Sequence, residues 1–314
     1  EAAALLAQER TSALVLAGGT DLVTQLKEGL ARPDLVVSLR AIEGLDRIEA
    51  SRGELRLGAM APLAEIAAHD LIREKWAVLA EGAGAAATPQ IRNAGTLGGN
   101  LCQRPRCWYF RSEDFHCRKK GGEECFALEG ENKYHALFGG DECRAVHPSD
   151  TAPALVALDA SATLHSPRGE RRIPLERFFS LPSVDVSREN VLQPDEILAE
   201  VHVPALPPGT RSGYLKIREK ASFDFALVSC AAALTIDGAV CARARIVLGG
   251  VAPIPWRCRE AEAILEGGVP DETLIARAAD EALRAATPLS KNRYKIPMAR
   301  TAIRRALTSC SGNR

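Results

Sequence analysis

Thr88-Pro89-Gln90-Ile91-Arg92-Asn93-Ala94-Gly95-Thr96-Leu97-Gly98-Gly99-Asn100 is the stretch on which the reading of this chain turns. Its small residues and glycines let the backbone come close to a ligand; the plain alternative is a loop whose glycines need positive φ. A counterpart lies upstream. Leu14-Val15-Leu16 reads as a short strand that runs into Ala17-Gly18-Gly19-Thr20-Asp21 and then into a helical pattern carried by Leu22, Val23, Leu26 and Leu30. A glycine turn that opens a helix offers backbone N–H groups and a favourable dipole to an anion, and Thr20 can donate to a phosphate. The plain alternative is a tight strand–helix turn with Thr20 or Asp21 as N-cap. Neither loop is a Walker motif or the Gly-x-Gly-x-x-Gly dinucleotide fingerprint. Two such loops in the first third of the chain favour a dinucleotide held at both ends.

Working outward, the 314 residues are 46% apolar and 25% charged, with forty basic residues against forty acidic ones. That length suits about two domains with real cores. Zero net charge removes the simplest argument for nucleic-acid or membrane-surface binding, and no apolar run is long enough for a spanning helix. The chain starts at Glu1 inside an Ala/Leu helical run, so the expectation is a missing N-terminal piece, with a removed leader left open. Strands are predicted at 35–39, 54–58, 162–165, 197–203, 214–217 and 226–236. A turn at Asp237-Gly238 then leads into a hairpin partner at 240–248. Helices are predicted at 62–69, 71–80, 151–159, 259–266, 271–286 and 298–308. Prolines 182, 194, 204, 207 and 208 mark a composition break. The predicted organisation is α+β, two layers per domain, with domains at 1–180 and 181–314.

Nine cysteines are present, and five of them (Cys102, Cys107, Cys117, Cys125 and Cys143) fall in the polar, aperiodic segment 102–147. An irregular stretch of that length is functional or disordered, and clustered cysteines in a large chain suggest metal before disulfide. Cys107, Cys117, Cys125 and Cys143 are separated by nine, seven and seventeen residues, without the Cys-x-x-Cys of zinc fingers or ferredoxins. Thiolates suit zinc or iron–sulfur; a disulfide pair or free core thiols are the plain alternatives. Arg106, His116, Arg118 and Lys119 would offset an anionic cluster. In a zinc reading His116, His135 and His147 are further ligands; as surface or hydrogen-bonding residues they are unremarkable. His147-Pro148-Ser149-Asp150 precedes a helix, so Ser149 or Asp150 reads as its N-cap, or Asp150 as a ribose- or ring-binding carboxylate.

These residues resemble a family. The Ala17–Leu22 loop, the Gln90–Asn100 loop, Leu248-Gly249-Gly250-Val251-Ala252-Pro253 and the stretch from Tyr294 to Arg305 are similar to the FAD-binding subunits of the xanthine dehydrogenase and carbon monoxide dehydrogenase molybdenum hydroxylases. The longer link between the second loop and Ser149-Asp150 resembles the branch whose flavin subunit carries an extra [4Fe–4S] cluster, closest to the aldehyde oxidoreductase type. The resemblance implies a two-part FAD-binding domain of the PCMH/VAO type with an iron–sulfur insertion at 102–147, then a smaller α+β domain of the CO dehydrogenase flavoprotein C-terminal type. It implies Leu16, Ala17, Gly18, Gly19, Thr20, Asp21 and Leu22 around the FAD pyrophosphate. Thr96, Gly99, Asn100 and Leu101 would line the flavin, with Thr88, Gly95 and Gly98 in the same cofactor loop. Asp150 would face the ribityl–isoalloxazine side, and Leu198 and Lys216, from the second domain, would close over the ring. Cys107, Cys117, Cys125 and Cys143 would hold the cluster and Cys102 would stay unligated.

The implied partners are a molybdenum-cofactor subunit, a [2Fe–2S] subunit and an external electron acceptor, in the periplasm by partner-carried export or in the cytoplasm. A xanthine dehydrogenase or 4-hydroxybenzoyl-CoA reductase type of flavin subunit is the near alternative. A non-redox module with structural zinc and a self-sufficient flavin oxidase with regulatory cysteines are the distant ones.

Overall fold

The computed structural model describes residues 1–8, 12–51 and 53–312. The chain opens with α1 (Ala2–Leu6), β1 (Ala13–Leu16), α2 (Leu22–Lys27) and β2 (Leu35–Ser38), and β1 and β2 form a two-stranded parallel sheet. This small unit packs its apolar side, Val37 and Leu39 with Leu6, against Ile197.

A five-stranded antiparallel sheet follows, built from β3 (Ile48–Ser51), β4 (Glu54–Gly58), β5 (Ser161–Ser166), β6 (Gly169–Pro174) and β7 (Ile197–Val203) in the order β3-β4-β7-β5-β6. Leu55, Leu57, Ala162, Leu164 and Val201 turn one face of it into the core. Helices α3 (Leu63–Ala68), α4 (Asp70–Lys75), α5 (Ala77–Ala85), α6 (Pro89–Ala94), α7 (Leu97–Cys102) and α9 (Thr151–Ala157) supply the other helices of this half, with the four-residue α8 (Trp108–Arg111) between α7 and α9. The boundary expected near 180 is therefore displaced. After the Pro-punctuated stretch the chain returns as β7, which pairs with β4 on one side and β5 on the other. The break falls between β7 and β8 (Thr210–Ile217) instead. The strand β6 was not read from the sequence; its polar run Gly169–Ile173 pairs only with β5, as an edge strand does.

β8, β9 (Val228–Asp237), β10 (Val240–Gly249) and β11 (Trp256–Arg257) form a second antiparallel sheet in the order β11-β10-β9-β8. The Asp237-Gly238 turn closes the β9–β10 hairpin as expected, with Gly238 at φ 60°. Successive strand residues face opposite sides, and β9 uses both. Val228, Cys230, Ala232 and Leu234 face the C-terminal core with α10 (Arg259–Leu265), α11 (Glu272–Glu281) and α12 (Lys295–Ser311), while Ala231 joins the core of the first half. The near-continuous apolar run of β9 follows from this double burial. Gly82 lets α5 lie tight against α9, since a Cβ there would sit 2.9 Å from the Asp150 carbonyl oxygen.

Candidate functional site

The two glycine loops meet. Gly18 lies so close to the second loop that a Cβ on it would overlap the Ala94 carbonyl oxygen, and a Cβ on Gly99 would stand 3.9 Å from the Ala17 side chain. Gly19 takes φ 78°, a conformation that glycine supplies without strain. Thr96 caps α7 by accepting from the Gly99 N–H at 3.1 Å, so the loop's hydroxyl fixes its own turn. Thr88 does the same for α6 through the Ile91 N–H at 3.3 Å.

Between the loops lies a cavity of about 910 Å³, with Ala17, Gly18, Gly19, Thr20, Asp21, Leu22, Thr96 and Gly99 on its walls. Arg32, Arg104, Lys120 and Arg188 also line it; Arg32 is paired with Glu113 at 3.1 Å and Arg104 with Glu189 at 2.9 Å, which leaves Lys120 and Arg188 as the lining cations best placed to meet an anion. Gly98 and Leu101 stand behind the cavity: Gly98 donates to the Ala59 carbonyl at 2.7 Å, and Leu101 is buried in the core. The Asn100 side-chain oxygen accepts from the Ser149 and Thr151 hydroxyls at 2.5 and 2.7 Å, tying the second loop to the start of α9. Ser149 caps that helix through the Ala152 N–H at 2.9 Å.

Leu16, Thr88 and Gly95 do not line the cavity either, and the remaining three expected cofactor residues, Asp150, Lys216 and Leu198, are engaged elsewhere. The Asp150 carboxylate is spent on the Tyr214 hydroxyl at 2.7 Å and the Lys216 ammonium at 2.8 Å, and Lys216 also donates to the Ala85 carbonyl at 3.0 Å. This buried pair locks α9 and α5 to β8. Burial raises the Asp150 pKa, and Lys216 opposes that rise. Leu198 belongs to β7 in the first half, opposite Leu164 of β5, rather than to the second domain, and is packed in the core.

Asp21 does more than a loop position suggests. Its carboxylate takes Arg111 at 2.8 Å, Arg106 at 2.9 Å and the Arg104 backbone N–H at 2.8 Å, all from the cysteine insertion. The first glycine loop is thereby fastened to segment 102–147. Sequence alone gave no signal for this, because the partners are about ninety residues away in the chain.

The insertion is ordered, though it holds little regular structure beyond α8 and a turn at 118–120. Lys119, 6% exposed, pairs with Glu189 at 2.8 Å, and Tyr109, Phe115 and Phe126 stack edge to face around its middle. Cys107, Cys117, Cys125 and Cys143 line one small cavity together, walled by Tyr109, Phe110 and Phe126. All four are free thiols. Burial pushes Cys107 up to about 12 and Cys143 up to about 11, with the neighbouring cysteines adding to the rise. A cation that binds these two thiols must displace their protons, so metal and proton compete. Cys102 lines the large cavity instead, and burial raises it to about 12. Among the described residues no three His, Cys, Asp or Glu side chains converge closely enough to hold a single metal ion. Beside the cysteines, sharing Cys107 and His135 with their cavity, is a cleft of about 350 Å³ lined by Trp108, Tyr134 and Phe225.

A family model for the FAD-binding domain of molybdopterin dehydrogenases matches residues 1–206. The chain belongs to that family. The model for the CO dehydrogenase flavoprotein C-terminal domain matches residues 213–310, which places the junction where β7 ends and β8 begins. Among the curated relatives, the aldehyde oxidoreductase FAD-binding subunit PaoB of Escherichia coli is 39% identical over 303 residues, covering 95% of this chain and 91% of that one. The carbon monoxide dehydrogenase medium chain of Hydrogenophaga pseudoflava is 28% identical over 98% of this chain and 93% of its own. A solved structure of carbon monoxide dehydrogenase from the same organism superposes with a TM-score of 0.77, at 27% identity, over 98% of this chain and 93% of that one. These relatives are subunits of oxidoreductases, and the large cavity lies in the part of the chain that the FAD-binding model covers.

His147, 4% exposed, gives a testable pH dependence. Burial, reinforced by the Arg106 and Lys119 cations, pushes its pKa down to about 4. An unfolded histidine titrates near 6.5, so between these values only the unfolded chain takes the proton. Stability therefore falls as pH drops from about 6.5 toward 4, by about 2 kcal/mol at pH 5. Burial pushes His135 down to about 4 as well, so it adds a like loss. Urea unfolding at pH 7.5 and 5.0 should show both, and His147→Gln should remove about half of the slope; an unchanged loss in the variant would assign the slope to other groups.

Proposed function

We propose that the chain is the FAD- and [4Fe–4S]-binding electron-transfer subunit of a multi-subunit molybdenum hydroxylase of the aldehyde oxidoreductase type. The observation that carries this is the pairing of two cavities. Two glycine loops touch across one, and four free cysteines line the other, joined through Asp21 and its arginines. Bound FAD would supply exchange between one- and two-electron chemistry, while the protein supplies binding, orientation and electrostatics. Gly18, Gly19 and Thr20 would hold the pyrophosphate by backbone approach, and Gly99, across the cavity, would line the flavin. Cys107, Cys117, Cys125 and Cys143 would ligate the cluster. A cubane binds each thiolate through a different iron, which four sulfurs spread around one cavity wall suit better than the single point a zinc ion requires. Aromatic side chains around that cavity would keep water from it. Reducing equivalents would come from a molybdenum-cofactor subunit and a [2Fe–2S] subunit, and leave to an external acceptor.

The visible spectrum of the purified, reconstituted chain tests the reading. Two flavin bands on a broad shoulder that dithionite bleaches are expected, with about four irons per chain. A colourless protein containing zinc, or a flavin spectrum without iron, would overturn the cluster assignment. Co-purification and mass spectrometry would identify the partner subunits.

A further inference from the structure

We infer that His135 donates a hydrogen bond from Nε2 to the sulfur of Cys107 and thereby sets the reduction potential of the cluster. This rests on the four-cysteine reading above.

The imidazole Nε2 lies 3.3 Å from Cys107 Sγ, and the residue is 3% exposed. Its position is heavily determined. The His135 N–H donates to the Asn132 carbonyl at 3.0 Å, and its own carbonyl accepts from Asn292 Nδ2 at 3.0 Å and Lys295 Nζ at 3.1 Å. Asn132 and Lys295 are themselves buried, and Asn132 Nδ2 donates to the Ala127 carbonyl at 3.0 Å. The Trp108 ring meets the imidazole edge-on, centroids 5.7 Å apart. The C-terminal half, through Asn292 and Lys295, thus holds a histidine of the insertion against one cysteine.

The direction of the hydrogen bond follows from the other nitrogen. His135 Nδ1 is buried with no hydrogen-bond partner among the described residues. A neutral ring has one proton, and at Nδ1 it would be wasted. At Nε2 it meets a ligating thiolate, which accepts strongly because it is charged. The reduced state of a cluster carries one more negative charge than the oxidised state, so a donor on a ligand sulfur favours reduction and raises the potential. Low local polarity strengthens the effect. Removing the donor should shift the reduction equilibrium on the order of tenfold, about 59 mV for a one-electron couple, toward more negative potential.

EPR-monitored potentiometric titration of the full chain tests this in wild type, His135→Leu and His135→Gln. The Leu variant should hold the same iron as wild type with a midpoint lower by about 59 mV. The Gln variant, whose amide N–H reaches the same place, should recover most of the shift, which a purely structural role would not produce. An iron-loaded Leu variant with an unchanged midpoint overturns the inference. Should that variant lose its iron, pulsed EPR of reduced wild type labelled with nitrogen-15 histidine decides: a histidine nitrogen coupling supports the hydrogen bond, and its absence overturns it. Wild type without iron would instead overturn the cluster reading itself.

Discussion

Gly18→Val should cost the chain its FAD. A Cβ at Gly18 meets the carbonyl oxygen of Ala94, a backbone atom that no rotamer change can move, with the Gly95 Cα 3.3 Å away. The glycine is not needed for its dihedrals, because its φ is not in the left-handed region that Gly19 occupies. Its role is clearance: the two loops can touch only if one of them has no side chain. Forcing them apart should cost roughly 3 kcal/mol, typical of overpacking, and about a hundredfold in FAD affinity. Gly99→Trp is the complementary change. A Cβ there has Thr96 Oγ1 at 3.1 Å and the Ala17 side chain at 3.9 Å, and the indole would extend into the large cavity. That variant should fold with a melting temperature near that of the apo wild type and still bind no FAD. Flavin released on denaturation, counted per chain beside a thermal melt, separates the cases. Full flavin in either variant would mean that the cavity between the loops is not the FAD site.

The loops were legible because their chemistry is local. Glycines, a threonine cap and a strand–helix step lie within a few residues of each other, and the structure keeps them so. The four cysteines were legible as a set for the same reason of residue type, although their meeting in one cavity needed aromatic packing that periodicity does not encode. Long-range pairing was not legible. The prolines that precede Leu198 point to the second domain, but strand partners β4 and β5 lie about 140 and 35 residues upstream and claim it for the first. The motif around Asp150 points to a ligand, but a buried lysine and a tyrosine from β8 take up its oxygens. Nothing local separates His135 from His116 and His147, because the contact between its Nε2 and Cys107 depends on an anchor from Asn292 and Lys295 at the far end of the chain. In each case what the local sequence lacks is which distant element faces the residue.

Cys125→Ser should lower iron from about four per chain to near zero and loosen the insertion around it. A serine hydroxyl is a poor substitute for a thiolate, and cluster and loop order are coupled because ligand binding supplies part of the folding free energy. The consequences should spread unevenly. Segment 102–147 is tied to the first glycine loop through Asp21–Arg106 and Asp21–Arg111, and to Glu189 through Lys119, so hydrogen exchange should speed up across 102–147 and at the Asp21 turn, with FAD held less tightly. The coupling is reciprocal, so an empty FAD site should loosen the iron by a like factor; Gly99→Trp nevertheless fills the large cavity without touching any of the four cysteines of the small one, and that variant should keep most of its iron. Cys102→Ser is the control: Cys102 lines the large cavity rather than the four-cysteine one, so iron should be unchanged. Iron analysis, exchange mass spectrometry and flavin content on these three variants form one experiment. A Cys125→Ser chain that retained about four irons would move the ligand to another residue, and a Cys102→Ser chain that lost them would exchange the surplus thiol for one of the four.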